Sequence, residues 1–331
     1  MTLSTQPAQV PDDAMQRIFE EIKTPFKYGI VIHPPENGVV DCPSIFRANN
    51  RWYMLYVAAV NKIGYETCLA ESENLLDWKP LGKILSFQKD GWDHWQADGG
   101  ISLVDHHWGG GSALKSFDNK YWLSYIGGAL QGYETDPLAI GIAYTTTPTQ
   151  PVEWTRSPTN PVLAPWDAEA RPFEKKTLYK SSIIWDESKT IGSPFVMFYN
   201  GKQEGPAIER IGMAVSDDMI HWKRFGAGPV IDNGRGISGD PQIVRINDLW
   251  VMFYFGHVWK PKAFDTFACS YDLVNWTKWT GANLVEPSEP FDQTFAHKPW
   301  LLKWNDVVYH FYCAVGNQGR TIALATSRDL R

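Results

Sequence analysis

The sequence predicts an all-β fold: a five-bladed β-propeller with one short N-terminal helix. A hairpin pattern recurs five times along the chain, and a third strand ending in a small residue and Ser or Thr follows each hairpin. Aromatic residues make up 14% of the chain, with 16 Trp. Recurring units of this kind, too small to bury a core alone, are typical of blades set radially round an axis.

The hairpin repeat is clearest in three segments that align without gaps, residues 41–56, 239–254 and 297–312. Each contains a β-rich run, a polar turn such as Asn49-Asn50 and a second β-rich run. A fourth copy begins at Tyr179. The remaining copy begins either near Trp108 or at Asp98, and the aromatic-acid pair six residues upstream favours Asp98, with residues 106–112 as an insertion.

The third strands continue in three copies into a turn that closes on Trp, at residues 74–78, 218–222 and 272–276. The repeats predict a single propeller domain over residues 31–331. Residues 1–30 form an N-terminal extension, in which apolar spacing and early acids predict a short helix over residues 11–23.

Composition excludes several classes of protein. The formal net charge of −6 argues against a nucleic-acid partner, and no apolar stretch approaches the roughly 20 residues that cross a bilayer. The N-terminus has no signal-peptide pattern, so we expect a cytoplasmic protein, or a secreted or periplasmic one if a leader has been removed. The four Cys show no metal-ligand spacing, and we expect no metal site and no cofactor.

Propeller geometry brings the first residue of each innermost strand to one central funnel. Those residues are Asp41, Asp98, Tyr179, Gly239 and His297, and their successors are Cys42, Gly99, Lys180, Asp240 and Lys298. A one-residue bulge would exchange which of the two points inward. The loops entering the third strands lie on the same face and carry Glu134, Glu209 and Arg320.

Crowded carboxylates predict acid–base chemistry on this face. Their mutual repulsion and loss of water push their pKa values apart, which leaves one acid and one base at neutral pH. Cleavage of a glycosidic bond requires that pair. Trp92, Trp95, Trp108 and Trp300 can stack on sugar rings.

The segment Asp41-Cys-Pro-Ser-Ile-Phe46 and the hairpin after it resemble the first blade of the five-bladed propeller glycoside hydrolases. These include the arabinanase and β-xylosidase group (family 43), the invertase group and the neoagaro-oligosaccharide hydrolases (family 117), in a clan with the family 130 phosphorylases. The resemblance implies that Asp41 is the catalytic base. Asp240 resembles the second conserved acid of family 117, and His297 falls where that group has a catalytic histidine.

The match to family 43 is partial, because that family has an acid where this chain has Tyr179-Lys180. The general acid therefore stays open among Glu209, Glu134 and His297. Family 43 also implies that His297 could be structural, and a structural calcium near the axis stays open.

The sequence thus predicts a glycosidase of carbohydrate metabolism and polysaccharide degradation that removes a terminal sugar from an oligosaccharide, with inversion. Asp41 would activate water and Asp240 would orient the acid. The predicted substrate-binding residues are Asp98, Trp95, Glu134, Lys180, Lys298, Trp300 and Arg320. A phosphorylase on the same scaffold and a non-catalytic sugar-binding propeller are the alternatives, and a homo-oligomer is left open.

Overall fold

A computed structural model describes residues 9–331, and within this range the chain is all-β with a single α-helix. Helix α1 spans Asp12–Ile22, as the apolar spacing predicts. Its buried face includes Met15, Ile18 and Ile22, and it packs on the apolar cluster that contains Phe253 and Leu301. In this part of the chain, no helix is long and apolar enough to cross a bilayer.

The strands form five antiparallel units of four within residues 9–331. Four of the units follow chain order: β2–β5 (Gly38–Ala48, Arg51–Val60, Glu66–Ser72, Lys79–Leu85), β6–β9 (Gln96–Ile101, Tyr121–Gly128, Ala139–Thr145, Thr155–Arg156), β10–β13 (Thr177–Trp185, Phe195–Lys202, Glu209–Ser216, Trp222–Phe225) and β14–β17 (Ile237–Ile246, Leu249–His257, Ala263–Ser270, Thr277–Lys278). The fifth unit joins the two ends of the chain: β18–β20 (Phe295–Trp304, Val307–Gly316, Gly319–Thr326) with β1 (Phe26–Ile32). The predicted domain boundary after residue 30 therefore falls inside β1.

Hydrogen bonding groups these units into one sheet of twelve strands and one of eight. Short parallel bridges, such as Glu209 with Ile237, join neighbouring units within a sheet. The first strands of the units also contact one another in sequence, β2 with β6, β6 with β10, β10 with β14, β14 with β18, and β18 with β2. The starts of these five strands therefore lie together.

Bulges occur at the beginning of three of these strands. The register of β2, β14 and β18 shifts after Asp41, Gly239 and His297. The next residues, Cys42, Asp240 and Lys298, have φ values of 50°, 50° and 63°. Since a bulge places two residues opposite one and turns the strand, it re-aims these side chains, as the sequence pattern suggested.

A buried acid ties the entry loop of three units to the second and outer strands. In each case a Tyr hydroxyl donates a hydrogen bond to the acid, and a cation of the outer strand pairs with it. The three sets are Tyr125–Asp93–Arg156, Tyr199–Glu174–Arg224 and Tyr312–Asp292–Lys27. The aromatic-acid pairs noted in the sequence are therefore part of the packing between strands.

The turns that close on Trp share one hydrogen-bond pattern. In the first, Oγ of Ser72 accepts from the amide of Leu75, and Oδ1 of Asn74 accepts from the amide of Asp77. Nε1 of Trp78 then donates to the Leu75 carbonyl across 3.1 Å. The same bonds recur at Ser216–Trp222 and Ser270–Trp276. Side-chain capping of a tight turn explains why this motif repeats.

Candidate active site

A cavity of about 300 Å³ opens where the first strands begin. Residues of the second to fifth units line it: Tyr133, Glu134, Tyr179, Lys180, Asn200, Glu209, Ile237, Asp240, Phe255, His257, Ala263, Phe295, His297, Lys298 and Arg320. The sequence-predicted residues Glu134, Lys180, Glu209, Asp240, His297, Lys298 and Arg320 are thus brought together. The cavity is large enough for a small ligand to be mostly enclosed.

Asp41, the predicted general base, lies behind this cavity and has no exposed surface. Its Oδ2 lies 2.9 Å from Nζ of Lys298, 2.8 Å from Nη1 of Arg320 and 3.2 Å from the hydroxyl of Tyr65. Its Oδ1 accepts the amide of Cys42. Burial opposes ionisation, but the two cations outweigh it and hold the pKa of Asp41 well below its usual range. Asp41 is therefore a fully paired carboxylate.

Three acids line the cavity itself. Burial, reinforced by the charge of Glu134, raises the pKa of Glu209 to about 8. Burial also raises the pKa of Asp240 to about 7, and Glu134 adds repulsion that Lys298 offsets in part. Burial raises the pKa of Glu134 too, although Nζ of Lys298 lies 3.2 Å from its Oε1. At neutral pH this set holds both a protonated acid and carboxylates.

The cavity cations are each paired with a carboxylate. Nζ of Lys180 donates to Oδ1 of Asp98 across 2.9 Å and to the Gly99 carbonyl across 2.8 Å. Burial disfavours the charge of Lys180, but Asp98 outweighs it and raises the pKa of the ammonium. The same balance, with Asp41 as the main partner, raises the pKa of Lys298 well above normal. Asp98, predicted to bind substrate, lies behind Lys180 and does not line the cavity.

His297 lines the cavity as a neutral imidazole. Burial, followed by the charge of Arg320, lowers its pKa to about 3. Its Nδ1 lies 3.1 Å from the Cys313 carbonyl, so Nδ1 carries the proton, and Nε2 lies 3.4 Å from Nη1 of Arg320. A neutral histidine in this tautomer presents an acceptor to Arg320. This arrangement suits a structural role better than proton donation at neutral pH.

The two predicted tryptophans lie outside the cavity lining. Trp300 packs beside the apolar clusters of the first and fifth units. Trp95 makes edge contacts with His94 and Phe87, at ring-centroid distances of 4.4 Å and 5.6 Å. Aromatic surface in the cavity comes instead from other residues, chiefly on the third to fifth units.

An apolar wall of the cavity was not predicted from the sequence. Ile237, Phe255, Ala263 and Phe295 come from the fourth and fifth units and face the same space as the acids. Phe295 stands two residues before His297, so its place on the first strand was a signal that could have found it. Such a wall can contact the C–H face of a sugar ring.

Within residues 9–331, no group of three or more His, Cys, Asp or Glu side chains is arranged to hold a metal ion. All four cysteines are buried free thiols. Sγ of Cys42 lies 3.7 Å from Oδ2 of Asp240 and 3.6 Å from Nζ of Lys298. The thiol therefore lies among the polar groups below the cavity.

No family model matches the chain. Two solved structures, one described as a complex of BT0996 with RGII and the other as a glycoside hydrolase, are each 43% identical to it, with a TM-score of 0.93 and 97% of both chains covered. The chain belongs to this family of glycoside hydrolases. The resemblance to propeller glycosidases in the sequence is confirmed, and the protein is a glycosidase.

More distant similarities extend beyond that family. A thermostable family-43 glycoside hydrolase shares the fold, with 15% identity, a TM-score of 0.64, and coverage of 92% of this glycoside hydrolase and 91% of that chain. The "1,2-beta-oligomannan phosphorylase" of Thermoanaerobacter sp. (strain X514) is 31% identical over 142 residues, which are 39% of this chain. That match spans 45% of the phosphorylase, less than half of its length.

Proposed function

We propose that this glycoside hydrolase is a five-bladed β-propeller that removes a terminal sugar from an oligosaccharide in the cavity on its axis. The closed sequence of contacts among β2, β6, β10, β14 and β18 supports five blades round an axis. The pairing of β1 with β20 supports closure of the ring by the two ends of the chain.

One observation carries the catalytic proposal: Glu134 and Glu209 line the same cavity with different charge environments. Glu209, with a pKa raised to about 8, keeps its proton at neutral pH and donates it to the leaving oxygen. Glu134 accepts a hydrogen bond from Lys298, which favours its carboxylate, and it activates water. Glu134 thereby takes the role that the sequence assigned to Asp41.

Asp240 keeps the role of tuning the acid. Its amide donates to Oδ1 of Asn200 across 2.8 Å, which fixes the bulge that turns it toward the cavity. The negative charge of Asp240 adds to the burial and repulsion that raise the pKa of Glu209. It therefore helps Glu209 to remain protonated.

The substrate we propose is an oligosaccharide of the RGII type, because one of the 43% identical relatives is described as an RGII complex. A cavity of about 300 Å³ holds one or two sugar rings. The apolar wall would contact one face of the terminal ring, while Glu134 and Glu209 reach the glycosidic bond.

The test is turnover of RGII oligosaccharides and a panel of nitrophenyl furanosides and pyranosides. Glu134→Gln and Glu209→Gln should each lose about 10²–10⁴-fold in kcat on a natural oligosaccharide. Glu204→Gln is the matched control, because Glu204 is exposed on the loop before β12, and it should keep full activity. Full turnover by Glu134→Gln would end the assignment.

The stereochemical outcome is measured separately. We propose inversion, so NMR of the first-formed product should show the opposite anomer to the substrate. Retention would instead make Glu134 a nucleophile, and azide should then restore turnover to Glu134→Ala through a glycosyl azide.

Phosphorolysis is the second candidate, favoured by the match to the oligomannan phosphorylase and by three cations at the cavity. Those cations, Lys180, Lys298 and Arg320, already pair with buried Asp98 and Asp41. Phosphate would have to compete with these carboxylates. We therefore expect product formation to be independent of phosphate, and a strict phosphate requirement would establish the phosphorylase instead.

A further inference from the structure

Lys298 joins two acids that come from different units of the fold. The bulge of β18 turns its side chain inward, and only 7% of that side chain is exposed. Nζ lies 2.9 Å from Oδ2 of Asp41 and 3.2 Å from Oε1 of Glu134. One buried ammonium therefore contacts a carboxylate behind the cavity and a carboxylate within it.

The two acids differ in how well they are neutralised. Asp41 has a second cation, since Nη1 of Arg320 lies 2.8 Å from the same Oδ2. Within residues 9–331, Lys298 is the one side chain that makes a salt bridge with Glu134. Loss of the ammonium would therefore leave Asp41 with a partner and Glu134 without one.

The charged surroundings of Glu134 are otherwise mostly acidic. The titratable groups that influence it or respond to it are Lys298 on β18, Asp41 on β2, Asp98 on β6, Arg320 on β20, Glu209 on β12, Asp240 on β14, Tyr179 on β10 and the adjacent Tyr133. Four of these are acids, and Arg320 is already bound to Asp41. Lys298 is thus the main force that favours a carboxylate at Glu134.

We propose that Lys298 is a positioning residue that keeps Glu134 charged and couples it to Asp41, because both carboxylates share the same ammonium. This inference deepens the proposed function and rests on Glu134 being the base. It assigns Asp41 an indirect effect: a negative Asp41 draws Lys298 away from Glu134 and also repels it.

The test is the pH profile of kcat/KM for Lys298→Met, on whichever glycoside the wild-type enzyme cleaves. An opposite charge this close lowers a carboxyl pKa by about 1–3 units, so its removal should move the acid limb to higher pH by about that amount. Lys298→Arg should restore the wild-type limb. Lys303→Met is the matched control, because Lys303 lies on the same strand and pairs with Glu21 of α1, and its profile should not change.

Asp41→Asn provides a test with the opposite sign. It removes a repelling charge and leaves Lys298 to Glu134, so the acid limb should move to lower pH. General damage to the site would lower activity at all pH values and would shift neither limb in this manner. An unmoved limb in Lys298→Met, or shifts of the same sign in both variants, would overturn the proposal.

Two further variants keep the result decisive. If Lys298→Met does not fold, the double variant Asp41→Asn with Lys298→Met removes the buried pair as a neutral unit, and its acid limb should still move upward. Glu134→Gln separates the two proposals. If that variant is active, the proposed base is wrong; if it is inactive while the Lys298 variants leave the limb in place, only the coupling is wrong.

Discussion

Nη1 of Arg320 lies 2.8 Å from Oδ2 of Asp41, behind the wall of the cavity. Because Lys298 occupies the same oxygen, Asp41 acts as an anchor for two cations. Asp41→Asn should therefore lower the free energy of unfolding by about 3–5 kcal/mol, the usual loss when a buried pair is broken. Its kcat should fall less than about tenfold.

Urea unfolding and steady-state kinetics on the same preparation measure both effects of Asp41→Asn. A variant with wild-type stability and no turnover would contradict this account. That result would make Asp41 the base, as the sequence predicted.

Glu209→Gln should show the leaving-group dependence of an enzyme that lacks its general acid. Loss of a positioned proton donor costs about 10²–10⁴-fold on a sugar leaving group. A dinitrophenyl glycoside needs little protonation, so the variant should cleave it at close to the wild-type rate. An equal loss on both substrates would show that Glu209 does not donate the proton.

Glu209 should also make the protein less stable at alkaline pH. Its pKa is raised in the folded state to about 8, so it binds a proton more tightly there than in the unfolded chain. The stabilisation from this group is complete below its ordinary pKa of 4.5 and is lost as the pH rises through about 8.

Glu209→Gln removes that titration. Its Tm should exceed that of the wild type by about 2 °C or more at pH 9, and the difference should narrow toward pH 5. Calorimetry at several pH values gives the comparison. A difference that did not change with pH would show that Glu209 ionises normally.

Arg156→Met tests the acid that ties the entry loop of the second unit to its outer strand. Asp93 is 6% exposed and lies 2.7 Å from Nε of Arg156, so the variant leaves a buried carboxylate without its cation. We expect the free energy of unfolding in urea to fall by about 3–5 kcal/mol. Arg51→Met, whose partner Glu73 is exposed, should cost less than about 1 kcal/mol. Equal costs would contradict the role of Asp93.

Much of the fold could be predicted from the sequence because the repeat is written in local rules. The hairpin turns at Asn49-Asn50 and Asn305-Asp306 have positive φ, a conformation that Asn and Asp tolerate. The capped Trp turns are equally local. The outer strand of the fifth unit was not predicted, since Phe26–Ile32 carries no repeat signature and pairs with a strand at the other end of the chain.

The site was predicted less completely. The first-strand positions correctly pointed to the cavity residues Lys180, Asp240 and His297. The sequence could not show that two cations converge on Asp41, because a bulge decides where Lys298 points. One residue of register exchanges the faces of a strand. The same limit applies to Trp300, which packs beside the apolar clusters between the first and fifth units.

The location of the bound sugar tests the central claim most directly. Crystals of Glu209→Gln, soaked with the oligosaccharide that the wild-type enzyme cleaves, should show a terminal sugar in the cavity. Its glycosidic oxygen should lie within hydrogen-bonding distance of Gln at position 209, with Glu134 on the other side of the anomeric carbon. A sugar bound outside this cavity, or one whose glycosidic bond is out of reach of both residues, would contradict the account.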